Sequence, residues 1–407
     1  MSIYRENNVI RFKNIVTIKE RFFCLNYIHK IIDEYSYKDV ILDFSECKAV
    51  YPTVMIPLCS YVNHYKSNGI NFILALPNDN NGRRNFSNSN WAHLIDNDYN
   101  KSIFSGYTQV PASIYKNPYE QGKIVDKILD TIMIGINNIK RNELSAFEWA
   151  LNEILDNVLI HSDSELGGIV QMTNYYQGKN IEIVVSDSGV GIPQSLGQVY
   201  KNKKETELLF EAIKEGITNG KGQGNGLFGS YQICELSKGK FLIDSGHATL
   251  SYEPNHGLHV SPRQIYKKGT TVVLRINTSN EVDLLTALKF KGKQHEPIDY
   301  TENKHSENTD DNYIINISQE ADSYGSRIEG KKIQGKILYL LSLDNVRRIN
   351  VNFENVDLIS SSFADEAIVK AILEFGYENF FSIVYFSNIS SINESLIKKS
   401  IEQRMNI

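Results

Sequence analysis

The stretch "NEILDNVLIHS" at 152–162 continues a run in which Phe147, Ala150, Leu151, Ile154, Leu155, Val158 and Leu159 recur at the spacing of a helix with one buried face. Glu153, Asn157 and His161 follow one another four residues apart, so each is offset from the last by about 40° around that helix. They form a polar stripe beside the apolar one. A solvent-facing stripe would explain it, and so would one wall of a polar site. The rest of the chain has to decide between these.

Three later stretches bear on the choice. "IEIVVSDSGVGI" at 181–192 is an apolar strand ending in Asp187, then Gly189 and Gly191. A carboxylate at the end of a buried strand can accept a hydrogen bond from the exocyclic amine of adenine. Guanine offers a carbonyl there instead, and an unpaired buried acceptor costs on the order of 1–3 kcal/mol. "GKGQGNGLFGSYQICELSKG" at 220–239 places Gly222, Gly224 and Gly226 before a helical pattern that begins at Leu227. A glycine-rich turn entering a helix offers N–H groups and a partial positive charge to a phosphate. No G-K-[ST] closes this turn and no strand leads directly into it, so it is neither a Walker nor a Rossmann loop. Lastly, "KKGTTVVLRI" at 267–276 is a strand that opens with Thr270 and Thr271.

Taken in order, these boxes resemble the GHKL family of ATP-binding domains: gyrase, Hsp90, histidine kinases, MutL and the anti-sigma-factor serine kinases. The resemblance covers about residues 140–278. It implies a Bergerat α/β sandwich with a mixed sheet, and ATP and Mg²⁺ as cofactors. Asn157 matches the Mg²⁺-holding asparagine, with Glu153 a second candidate ligand. Glu153 also matches the carboxylate that activates the attacking water or hydroxyl, and Asp187 the aspartate that reads adenine. Gly189, Gly191 and Ile192 match the nucleotide loop, and Gly222, Gly224, Gly226 and Leu227 the lid and second glycine box. Thr270 and Thr271 would close the adenine site. His161 fits the anti-sigma kinases' E-x-x-x-N-x-x-x-H pattern, while a cation at a helix C-terminus would explain it equally well. No helix resembles the phosphoacceptor-histidine helix of sensor kinases.

The two ends of the chain resemble each other. "VILDFSECKAVYPTVMIPL" at 40–58 lies over "INVNFENVDLISSSFADEA" at 349–367 without a gap. In each, a strand ends in Asp-Phe or Asn-Phe, a short connection follows, and hydroxyl residues stand where a helix would start. Both resemble the STAS fold of anti-sigma-factor antagonists, in which a serine at this position is phosphorylated by a GHKL kinase. Thr53, Ser361 and Ser362, with Ser360 beside them, are the candidate phosphoacceptors. A hydroxyl there also serves as a plain helix cap.

The expected domains are a STAS-like domain at 1–112, the GHKL domain at 113–280, a polar linker at 281–312 and a second STAS-like domain at 313–407. The linker is assigned from "KGKQHEPIDYTENKHSENTDDN" at 291–312, too polar and charged to bury much. With 41% hydrophobic and 22% charged residues, this is the composition of a globular protein, and a net charge of −5 supplies no basic field for nucleic acid or anionic lipid. Cys24, Cys47, Cys59 and Cys234 show no C-x-x-C spacing and read as small buried hydrophobes of a reducing compartment. No apolar run approaches the ~18 residues of a membrane span, so a cytoplasmic location is expected. His256 and His259, with His247 upstream, have an H-x-x-H spacing but no cysteine or acidic partner at a suitable distance.

The expected function is an ATP-gated regulatory switch, reset by Glu153-assisted hydrolysis and acting on a protein partner through the STAS-like domains. Two alternatives stay open. One is a Ser/Thr kinase acting on a STAS serine in cis or in trans; the other is a non-catalytic scaffold that senses ATP. A homodimer is an implication of the resemblance alone.

Overall fold

The computed structural model describes residues 2–104, 106–136, 141–220, 224–294, 300–307, 311–343 and 345–405. Two compact units emerge: Met1–Ile128 with Ala146–Glu296, and Leu129–Ser145 with Pro297–Ile407.

In the first unit, β1 (Ile3–Glu6) and β2 (Val9–Val16) form an antiparallel hairpin. Helix α1 (Arg21–His29) leads to β3 (Asp39–Val50), and α2 (Pro52–Ser67) leads on to β4 (Asn71–Ala75). These strands run parallel to β2, giving a sheet of order β1-β2-β3-β4. Two short helices follow, α3 (Asn80–Asn88) and α4 (Trp91–Ile95). Trp91 is packed in the interior, its indole N–H donating to Gln171 Oε1 at 2.7 Å.

The second sheet of this unit comprises β5 (Gln109–Tyr115), β6 (Gly168–Tyr175), β7 (Asn180–Asp187), β8 (Lys240–Glu253) and β9 (Gly257–Asn277), in the order β5-β6-β7-β9-β8. All four of its ladders are antiparallel. The mixed sheet expected from the sequence is therefore corrected. Short turns join β6 to β7 and β8 to β9, and such turns can only connect antiparallel neighbours. Mixed pairing belongs to the N-terminal sheet instead.

Helix α2 explains how the two sheets share a core. Every residue from Pro52 to Val62 is buried, far more than the one stripe an amphipathic helix hides. It packs on β6 and β7 as well as on its own sheet. Ala112, Ile169, Val184 and Val273 of the five-stranded sheet belong to the same cluster as Met55, Leu58 and Phe44. The boundary expected after residue 112 falls inside β5, which pairs with β6.

Helices α5 (Pro118–Gly135) and α6 (Arg141–His161) follow β5 in the chain. Phe147, Ala150, Leu151, Ile154, Leu155 and Val158 of α6 are buried, as the spacing predicts. Between β7 and β8 come α7 (Ile192–Gly197), α8 (Glu205–Glu211) and α9 (Gly226–Leu236), the last packed on β8 and β9. The segment expected to be a polar linker opens with buried Val282, Leu284, Ala287 and Leu288, spanning α10 (Leu284–Ala287). A two-stranded hairpin of β10 (Lys289–Phe290) and β11 (Lys293–Gln294) follows.

In the second unit, β12 (Asn312–Asn316), β13 (Arg348–Asn352) and β14 (Val384–Ser387) form a parallel sheet in that order. The helix starting at Ser361 is preceded by Ser360, whose hydroxyl accepts from Phe363 N–H at 3.0 Å. In the gapless alignment of the two ends, Pro52, the first residue of α2, falls on Ser361. The cap differs: Tyr51 precedes Pro52 and caps nothing with its side chain. All four cysteines are buried and free. No helix among the described residues is long and apolar enough to cross a membrane.

Candidate functional site

A cavity of about 380 Å³ opens in the first unit between α6, the end of β7, Thr270 and Val272 of β9, and residues 191–219 and 224–227. That is room for a small-molecule ligand. The polar stripe of α6 faces it: Glu153, Asn157 and His161 all line the wall, with Asp156 beside them. The stripe is therefore one wall of this cavity and does not face bulk solvent.

At the floor, Asp187 ends β7 and is 3% exposed. Its Oδ1 accepts from Gly189 N–H at 2.8 Å and its Oδ2 from Thr270 N–H at 3.1 Å. Burial raises its pKa, while Lys267 and the backbone donors pull the other way. A carboxylate fixed by two N–H groups keeps lone pairs for a third donor such as an amine. Adjacent strand residues face opposite sides, and this separates the two threonines. Thr270 lines the cavity. Thr271 is buried away from it, its hydroxyl paired with Ser186 Oγ at 2.9 Å.

Gly191 and Ile192 line the cavity, but Gly189 does not. A Cβ at Gly189 would stand 2.0 Å from the Ser162 carbonyl oxygen, so this glycine lets the loop close on the end of α6. Nothing in the sequence pattern singles out Ser245, a fully buried residue of β8 that ties the loop to the floor. Its hydroxyl accepts from Ile192 N–H at 2.9 Å and donates to the Gly269 carbonyl at 2.9 Å.

Opposite α6, Gly224, Gly226 and Leu227 reach the cavity at the start of α9. Gly222 lies outside the described residues. A Cβ at Gly226 would stand 2.3 Å from Glu153 Oε2, so the absence of a side chain lets this carboxylate lie against the N-terminus of α9 in its present rotamer. The meeting places a helix N-terminus, where phosphates bind, beside an acid. Glu153 is half-buried, and burial first and then the charge of Asp156 raise its pKa to about 7. Ile192 and Leu227 also pack against Leu196, Leu208 and Ala212, so α7 and α8 carry a small core of their own.

Phe290 of β10 closes one end of the cavity, its ring 6.2 Å from Trp149 and 6.1 Å from Phe228. Its only signal in the sequence was one aromatic residue in a polar stretch. The carboxamide Nδ2 of Asn157 is buried with no hydrogen-bond partner among the described residues. An orphaned polar group costs stability unless a ligand satisfies it. That N–H₂ group calls for an acceptor such as a phosphate oxygen, while Asn157 Oδ1 with the carboxylates of Glu153 and Asp156 offers an oxygen set that fits a hard cation such as Mg²⁺.

Residues 143–280 match the family described as histidine kinase-, DNA gyrase B- and HSP90-like ATPases. Residues 143–280 are a GHKL ATPase domain. Residues 329–394 match a STAS-like domain of unknown function and form the second recognised domain of the chain. No curated protein matches the sequence. The cavity lies wholly within the first unit, with Phe290 contributed from beyond the matched part of the GHKL domain.

Other sequence-derived candidates lie elsewhere. In the STAS-like domain Ser361 is exposed, Ser362 is half-buried and Ser360 is the helix cap. Thr53 is the second residue of α2 and only 7% exposed. His259 bonds the His256 carbonyl at 2.6 Å, and no cluster of three metal-ligating side chains occurs among the described residues.

Proposed function

We propose that the chain is a cytoplasmic, Mg²⁺-dependent ATPase that acts as a nucleotide-gated switch, with its STAS-like domain as the part that engages a protein partner. The observation that carries this reading is the Glu153 carboxyl, held against the N-terminus of α9 with its pKa raised to about 7. A base titrating near the working pH has the strength to take a proton and keeps a substantial ionised fraction there. Asp187 receives the adenine amine. The free N–H groups at Gly226 and Leu227 receive the phosphates. Mg²⁺, when bound, neutralises phosphate charge, with Asn157 and Glu153 the residues that would hold it. Glu153 takes a proton from water as the water oxygen bonds to the γ-phosphorus. The bond from that phosphorus to its bridging oxygen breaks, and ADP leaves with the electron pair. Phe290 and Trp149 keep bulk water from this end.

The exposed hydroxyl of Ser361 supports a second reading, in which a STAS serine replaces the water as acceptor in cis or in trans. Incubation with γ-labelled ATP and Mg²⁺ separates the two. Free phosphate, lost in Glu153→Ala, is the expected result. Label on Ser361, Ser362 or Thr53 would replace the switch by the kinase, and neither product would leave an ATP-sensing scaffold.

Asp187→Asn should weaken ATP binding by about tenfold or more, because an amide cannot accept from both Gly189 and Thr270 while also accepting from adenine. Titration calorimetry measures it, and wild-type affinity in this variant would remove the base pocket from the reading.

A further inference from the structure

The site as described leaves one buried cation unused. Lys267 is 1% exposed and lies directly beneath the adenine floor. Its Nζ donates to the carbonyl of Asp187 at 3.1 Å and to that of Lys268 at 2.6 Å. Burial lowers its pKa to about 8, against the opposing pull of Asp187 and Asp244. Buried lysines need such partners, since an unsatisfied ammonium is strongly penalised.

Nζ also lies 5.1 Å from the centre of the Tyr61 ring, within reach of a cation–π contact. Tyr61 belongs to α2, some 200 residues earlier in the chain. Its hydroxyl accepts from Lys268 N–H at 2.7 Å and donates to the Tyr266 carbonyl at 3.3 Å. This is where β9 slips against β8. Ser245 pairs with Thr270 and Gly246 with Lys267, so Lys268 and Gly269 have no partner on β8. A bulge of this kind re-aims the backbone and leaves an N–H without its ladder bond. Here the freed N–H of Lys268 is taken by Tyr61. The other side of the same bulge presents the Gly269 carbonyl to Ser245 and the Thr270 N–H to Asp187.

We propose that Tyr61 and Lys267 are positioning residues for recognition of the nucleotide base: together they hold, from behind, the β9 bulge that fixes the Asp187 carboxylate. The N-terminal α/β layer is then a working part of the nucleotide site. This inference rests on Asp187 reading adenine, and it names the residues that set how well it does so.

The test uses full-length protein and compares affinities for ATP and GTP in wild type, Tyr61→Phe, Lys267→Met and Asp187→Asn. Tyr61→Phe keeps the ring and removes both hydroxyl bonds. Its preference for ATP over GTP should shrink by about threefold to tenfold, the worth of one buried hydrogen bond at the recognition point. Turnover at saturating ATP should stay within about twofold, since neither residue touches the phosphates. Lys267→Met should shrink the preference too, and it stands in should the tyrosine variant fail to fold. A role in packing alone would lower the melting temperature and leave the ATP-to-GTP ratio unchanged, and that outcome overturns the inference. Should Asp187→Asn lose the preference while both other variants keep it, the inference fails and the base pocket stands. If Asp187→Asn keeps it, both fall.

Discussion

Glu153→Gln should cut ATP turnover by about 10²–10⁴-fold, the usual contribution of a general base, while ATP affinity stays within a few-fold. The amide preserves the shape of the side chain beside Gly226 and removes its capacity to take a proton. In wild type, kcat/KM should rise with pH through about 7, because the carboxyl must be ionised to act and its folded pKa stands there rather than at 4.5. The same shift has a stability signature of known sign. Between about 4.5 and about 7 the folded protein keeps a proton that the unfolded chain has released, so stability falls as pH rises through that window. Glutamine has nothing to titrate. The variant should therefore melt higher than wild type above pH 7, with a flatter profile below. Melting curves from pH 4 to 8, beside phosphate-release rates, test both halves. A variant that is inactive but no more stable would mean that Glu153 is not held in the desolvated setting described.

Arg21→Leu should destabilise the first unit by about 3–5 kcal/mol, the range for removing one partner of a buried ion pair. Arg21 of α1 makes a two-pronged contact with Asp244 of β8, Nε to Oδ2 at 2.5 Å and Nη2 to Oδ1 at 2.8 Å, and both side chains are buried. The same carboxylate accepts from Thr249 Oγ1 at 2.5 Å. Arg263 lies over the far side of this cluster, its guanidinium 5.2 Å from the Phe22 ring that Arg21 also covers. Leucine would leave the buried Asp244 carboxylate with the Thr249 hydroxyl and without its two-pronged guanidinium partner, Lys267 and Arg263 acting on it only from further off. Replacing both residues, Arg21→Leu with Asp244→Leu, should recover much of the loss, since an apolar pair needs no solvation. Urea midpoints of the two variants decide it, and a single variant within about 1 kcal/mol of wild type would show that solvent reaches the pair.

The α6 stripe was legible because helical spacing carries both the face and the chemistry of each residue, and Asp187 because it ends an apolar strand. Ser245, Lys267 and Tyr61 were not, because their roles exist only once β8, β9 and α2 come together across gaps of 20 to 200 residues. The two threonines show the limit most clearly. Alternation along β9 assigns them to opposite faces, but the bulge before them resets which is which, and a bulge leaves no mark in a single sequence. The polar stretch after 280 misled for a different reason. The polarity of 291–312 was extended back over Val282, Leu284, Ala287 and Leu288, which are buried. The antiparallel sheet follows from connection lengths, which were visible, whereas strand order was not.

The shared interior around α2 bears on how such a chain can be inherited. Ile169, Val184 and Val273 are kept dry by residues encoded more than a hundred positions upstream. An ATPase module excised at residue 113 would bare that apolar surface, so recombination cannot trade it as an independent cassette. Any lineage that keeps the nucleotide machinery in this form has to carry the leading α/β layer with it.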